Sequence, residues 1–295
     1  AVPVALSLFH TLFNICNTFL LVWFVNPIAR LVKRMVPEKE IPGKAIDEPK
    51  FLTKDAMQYP ETLVRVLKEE SRYLFENAVF EICAHGLNLH RGDILSERKV
   101  KKVVRRSASD LGVDVNELYY TKVKNIYGQI INYATIGQAN LDLSVEQHKE
   151  VAMIKVATRK MVEIIRDVAN VSRNVQKFNQ TDNLHLRKEY DRLRKRIAKV
   201  LRVIYQYRTV PEGKEATYQK LLRLKEAAGI RSNETSESID QLIRNDLISI
   251  DMASSLVNDY DEVNDAIEKL ITVAEMLYAE KDSMLVKPAE AGNAA

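Results

Sequence analysis

Residues 254–275 read SSLVNDYDEVNDAIEKLITVAE. Val257, Tyr260, Ile267, Ile271 and Ala274 recur at helical spacing, with Asn264 as the polar exception in the series. That is the period of one face of an α-helix. Asp261 and Asp265 are four residues apart, so they are predicted to stack on one side of the helix about 6 Å apart. Two like charges at that spacing repel unless a cation stands between them. The arrangement occurs earlier as well, in residues 160–174, KMVEIIRDVANVSRN, where Glu163 and Asp167 have the same spacing. The offsets agree, since 261 − 163 and 265 − 167 both equal 98. A solvated helix edge explains one such pair. A pair repeated at one interval predicts two copies of a helical unit.

The segments Val162-Glu163-Ile-Ile-Arg-Asp167 and Asn258-Asp-Tyr-Asp261-Glu-Val-Asn-Asp265 resemble the L-E-R-I-G-D helices of PhoU-like domains. The resemblance implies two tandem three-helix bundles, each with one acidic pair that carries metal. It therefore assigns Glu163, Asp167, Asp261 and Asp265 as metal ligands. The chain departs from the family at its small Gly, which is Arg166 and Asn264 here. It departs again at the His that often follows the motif, which is Val168 and Ala266.

The composition is that of an ordinary folded protein, with 28% charged and 46% hydrophobic residues in 295. Only 9 are glycine, which disfavours a turn-rich β architecture. Lys and Arg number 44 against 40 Asp and Glu, too even a balance for a dedicated nucleic-acid binder. Cys16 and Cys83 lie far apart and suggest neither a disulfide framework nor a thiolate metal site. The chain opens at Ala1 and runs at once into an apolar segment, which we read as a C-terminal piece of a longer protein.

That segment, residues 4–25, reads VALSLFHTLFNICNTFLLVWFV. Its length matches the ~20 residues that cross a bilayer's hydrocarbon core. Trp23, Arg30, Lys33 and Arg34 follow the pattern of a cytoplasmic exit. No basic stretch precedes the run and no small-residue cleavage site follows it, which disfavours a secretory signal. His10, Asn14, Asn17 and Thr18, with Ser7 and Thr11, form one polar stripe. Polar groups in a bilayer normally face other helices or a water-filled cavity, so these are read as facing a transport core.

Phe9-His10-Thr11-Leu12-Phe13-Asn14 and Pro27-Ile-Ala-Arg30-Leu-Val resemble the last membrane helix of bacterial sodium/phosphate cotransporters. That family has a similar A-H-T-L-F-N stretch and a trailing L-A-R-L-V. Ile46-Asp47-Glu48 and Phe51-Leu52 resemble its connector to a following PhoU-like domain.

The expected fold is all-α: one transmembrane helix (1–36), a proline-bearing linker (37–59), helical bundles over 60–181 and 182–285, and a tail (286–295). Ser144 and Gln147 predict a capping box that opens a helix over residues 144–178. Leu186, Tyr190, Leu193, Ile197, Val200 and Ile204 predict a narrow bundle seam. Two basic runs stand out, residues 99–106 and 187–202. The first is a candidate for contact with anionic headgroups, and a solvated helix face accounts for the second. No nucleotide-binding loop, Glu-x-x-His di-iron signature or nucleophile–base pairing is present, so no enzymatic activity is expected.

The resemblances imply the C-terminal part of a sodium-dependent phosphate transporter. Its membrane domain would lie upstream in the cell membrane, and a cytoplasmic PhoU-like domain would regulate phosphate uptake. Sodium would be the coupling ion. Carboxylate pairs suit Mg²⁺, Mn²⁺ or iron, with neighbouring helices or a second copy of the chain completing the shell. The alternative is a membrane-anchored helical signalling or scaffold protein.

Overall fold

The computed structural model describes residues 2–35, 45–107, 111–179, 181–210 and 212–279. All regular structure among them is helical. Part of the expected linker, residues 37–44, and the expected tail lie outside the described residues.

The chain divides into two units, residues 1–44 and 45–295. The first holds α1 (Val2–Met35). Its stretch Val4–Ile28 has a mean hydropathy of 1.6 and no buried residue, so it is long and apolar enough to cross a membrane. Thr11 and Thr18 donate their hydroxyls to the carbonyls of Ser7 and Asn14, at 3.0 and 2.8 Å. Each thus closes a bond within its own helix.

The second unit begins before the expected boundary. Residues 45–59 are docked against it rather than forming a free linker. The amide of Asp47 donates to Thr121 O at 2.8 Å, and Tyr133 Oη donates to Thr53 O at 2.7 Å. The amides of Lys50 and Phe51 donate to the buried Glu70 carboxylate at 2.9 and 2.6 Å. Burial pushes the Glu70 carboxyl above its ordinary range, opposed by those backbone N–H groups.

Pro60 then starts α2 (Pro60–Leu74), where its missing N–H costs nothing. A π turn (Phe75–Val79) joins α2 to α3 (Phe80–Gly86). The run ends where Asn88 takes a left-handed φ of 58°. Short helices α4 (Arg91–Leu95) and α5 (Val100–Arg106) follow. Next come α6 (Val115–Leu118), a second π turn (Tyr119–Val123) and α7 (Lys124–Asn140). The two π turns lie against each other. At Gly137 a Cβ would come within 2.5 Å of Leu63 Cδ1, so only glycine lets α7 approach α2 this closely.

Long helices make the rest: α8 (Val145–Asn179), α9 (Leu184–Thr209), α10 (Lys214–Arg244) and α11 (Ile250–Tyr278). The predicted capping box opens α8: Gln147 N donates to Ser144 Oγ at 3.2 Å, and Ser144 N to Gln147 Oε1 at 2.9 Å. Asn183 and Ser249 cap α9 and α11 through their side chains. Asp246, with φ 54°, breaks the chain between α10 and α11. All six residues of the predicted α9 seam are buried.

Helices α2, α7 and α8 contact one another, and so do α9, α10 and α11. The broadest contact joins α8 to α11, so one apolar core runs through residues 45–279 instead of stopping near residue 181.

Candidate functional site

The α8–α11 contact brings together the two helices that carry the acidic pairs. Its polar contacts run in opposite chain directions. Asp167 meets Lys269 and, through it, Asp265. Asn170 donates to Glu262 at 2.9 Å, and Asn174 donates to Asp259 at 2.9 Å. The order 167, 170, 174 against 265, 262, 259 marks the two helices as antiparallel.

That register decides which predicted ligands meet. Asp167 and Asp265 stand at the same level. Glu163 lies one turn below on α8, and Asp261 one turn above on α11. At 1.5 Å of rise per residue their axial separation is roughly 12 Å. Glu163 instead sits 3.9 Å from Arg159 Nε on its own helix, and Asp261 is exposed. The four carboxylates therefore do not form one cluster.

The pair that does meet already holds a cation. Lys269 Nζ donates to Asp167 Oδ2 at 2.7 Å and to Asp265 Oδ2 at 3.4 Å. The Asp167 side chain is 4% exposed, that of Asp265 65%. Burial raises the Asp167 carboxyl, and the Lys269 ammonium opposes the rise. Burial works against the Lys269 charge too, but its bond to Asp167 and the charges of both aspartates outweigh it and raise its pKa. The contact between Lys269 and Asp167 is of charge-assisted length. Among the described residues no group of three or more His, Cys, Asp or Glu side chains could hold a metal ion. Lys269 thus engages Asp167 and Asp265, one carboxylate of each expected pair.

Sequence reasoning passed over a deeper pair of acids. Asp259 is buried, and its Oδ2 accepts from Tyr190 Oη at 2.6 Å as well as from Asn174. Glu189 is buried, accepting from Tyr260 Oη at 2.8 Å and pairing with Arg192 at 2.7 Å. Burial raises the Asp259 carboxyl, its two hydrogen bonds resist, and nearby Glu262 adds to the rise. Both phenols are pushed well above their ordinary range, first by burial and then by the carboxylate each faces. They are therefore fixed donors. The signal for Asp259 was its place one turn before the buried Val263, on the inward face. Lys269 was legible as the cation four residues after Asp265.

A cavity of about 520 Å³ lies elsewhere in this unit, near Arg72, Glu76, Arg208 and Tyr278. Tyr278 Oη donates to Glu76 at 2.8 Å, Arg208 pairs with Glu76, and Arg72 donates to Leu277 O at 2.8 Å. These charges are spent on one another and tie α2 and α9 to the end of α11.

On α1, His10, Asn14 and Asn17 share one face, and Thr18 adjoins Asn14. Among the described residues the side chains of His10, Asn14 and Asn17 make no hydrogen bond. No protein-family model matches the chain, and neither does any curated protein or solved structure.

Proposed function

We propose that the chain is the C-terminal part of a sodium-dependent phosphate transporter. In this reading α1 is the last membrane helix. The unit from residue 45 onward is a cytoplasmic regulator built on two tandem three-helix bundles of PhoU type. The observation that carries the reading is the polar stripe on an otherwise apolar helix. A lone anchor has no use for two amides and an imidazole that find no partner on their own helix. Such groups in hydrocarbon call for partners on neighbouring helices or for a polar cavity. The two mutually packed helix triplets support the regulator half of the reading. At the α8–α11 seam Lys269 supplies a positive charge to Asp167 and Asp265.

A tethered unit biases a transporter only by binding one transport state better than another. The test uses the complete reading frame that encodes this chain. Asn14→Leu with Asn17→Leu should cut sodium-driven phosphate uptake while the protein still inserts. Removing residues 45–295 should change the rate of uptake, or its response to phosphate supply, without abolishing it. Uptake indifferent to both changes favours a membrane-anchored scaffold instead.

A further inference from the structure

The two basic runs of the sequence, 99–106 and 187–202, meet in the fold. Helices α5 and α9 pack side by side and enclose a groove of about 380 Å³. Lys101 and Arg105 line one wall, and Arg187, Lys188, Arg192 and Lys195 the other. The walls are held in place by arginines that α9 sends under the neighbouring segment. Arg194 donates to the carbonyls of Leu87 and Ser107 at 2.9 and 3.0 Å, and Arg202 to those of Ile94 and Arg98 at 2.6 and 2.7 Å.

The charge in the groove is not neutralised from within. Asp191, the one carboxylate among the described residues that line it, is engaged by Arg194 at 2.9 Å, and Arg192 is engaged by Glu189. Among the described residues Lys101, Arg105, Lys188 and Lys195 form no ion pair. Arg187 donates one nitrogen to Thr181 O at 2.9 Å, but its Nε is buried without a hydrogen-bond partner. A buried donor left unmade is costly, and an anion is the partner that suits a guanidinium.

We propose that this groove binds a compact anion carrying two or more phosphate groups. Four unpaired cations and an orphaned guanidinium N–H exceed what a single phosphate neutralises. Among the described residues that line the groove none is aromatic, so none offers a face on which a base would stack. The volume suits a short oligophosphate or a diphosphate lipid headgroup, not a nucleic-acid duplex. This inference stands apart from the transport reading and rests on none of its residues.

The test is lysine footprinting with an amine-acetylating reagent and mass spectrometry, on the full chain in phosphatidylcholine bilayers. Inorganic triphosphate is added in one arm, and cardiolipin is included in the bilayer in the other. Lys101, Lys188 and Lys195 should be protected several-fold relative to the exposed Lys54, Lys149 and Lys220. The protection should weaken with salt. Protection by triphosphate assigns a soluble ligand; protection by cardiolipin assigns a headgroup. Lys188→Gln with Lys195→Gln should remove the protection at Lys101, with an unchanged circular dichroism spectrum. Lys149→Gln with Lys220→Gln should not. No protection in either arm, or equal loss from both variant pairs, overturns the proposal.

Discussion

Lys269 Nζ, on α11, donates to Oδ2 of Asp167, on α8, across 2.7 Å and 102 residues of chain. The bond ties the first half of the second unit to the second at the level where Asp167 and Asp265 meet. It turns a repulsive encounter between Asp167 and Asp265 into an ion-paired one.

Lys269→Met should therefore destabilise the unit by about 2–3 kcal/mol, because it leaves the Asp167 carboxylate buried with no cation. Adding Asp167→Asn to Lys269→Met should recover much of that loss. Urea denaturation of the three proteins gives the coupling. Equal stability of Lys269→Met and the parent would show that Asp167 is solvated in another way.

Metal content follows from the same contact. The purified chain should bind no more Mn²⁺ or iron than its Asp167→Asn, Asp265→Asn variant, and added Mn²⁺ should not raise its Tm. Mass spectrometry of bound metals checks this. Metal that is retained by the parent and lost in the variant would mean that Lys269 yields its place to an ion.

Asp259 makes stability depend on pH. Its folded pKa is raised, so folding favours the protonated form. A raised group contributes stability that is fully present below its unfolded pKa and is lost as pH rises through the folded value. The parent should thus lose this contribution as pH climbs from about 4 toward neutrality. Asp259→Asn, still able to accept from Tyr190, should flatten that slope. Tm measured from pH 4 to 7 decides it; parallel curves would remove Asp259 as the cause.

Arg194 is 1% exposed and binds the carbonyls of Leu87, Asn88 and Ser107 together with Asp191. Arg194→Met should cost about 3–5 kcal/mol, since it strands several buried acceptors at once. Arg194→Lys should recover less than half of that, because one ammonium cannot span the fork of a guanidinium. A fully stable lysine variant would contradict the clamp.

The helical class, the α8 capping box and the α9 seam were legible because each depends on local spacing. The apolar run of α1 was legible for the same reason. Which carboxylates meet across the seam was not legible, because spacing fixes neighbours within a helix but not the direction of the helix opposite. With α8 and α11 antiparallel, Asp167 and Asp265 come level while Glu163 and Asp261 lie apart. The docking of residues 45–59 was hidden behind the linker reading. Pro49 marks non-helical backbone, but it says nothing of the Glu70 carboxylate that gathers the amides of Lys50 and Phe51. The groove between α5 and α9 was present in the sequence as two separate basic runs, and only tertiary packing joins them.

The proposed function is sodium-driven movement of phosphate. It is tested by uptake of radiolabelled phosphate in cells that lack other phosphate transporters and express the complete reading frame. Uptake should rise with external sodium, vanish when potassium replaces it, and fall sharply in the Asn14→Leu, Asn17→Leu variant. Correctly inserted protein that takes up no phosphate at any sodium concentration would contradict it.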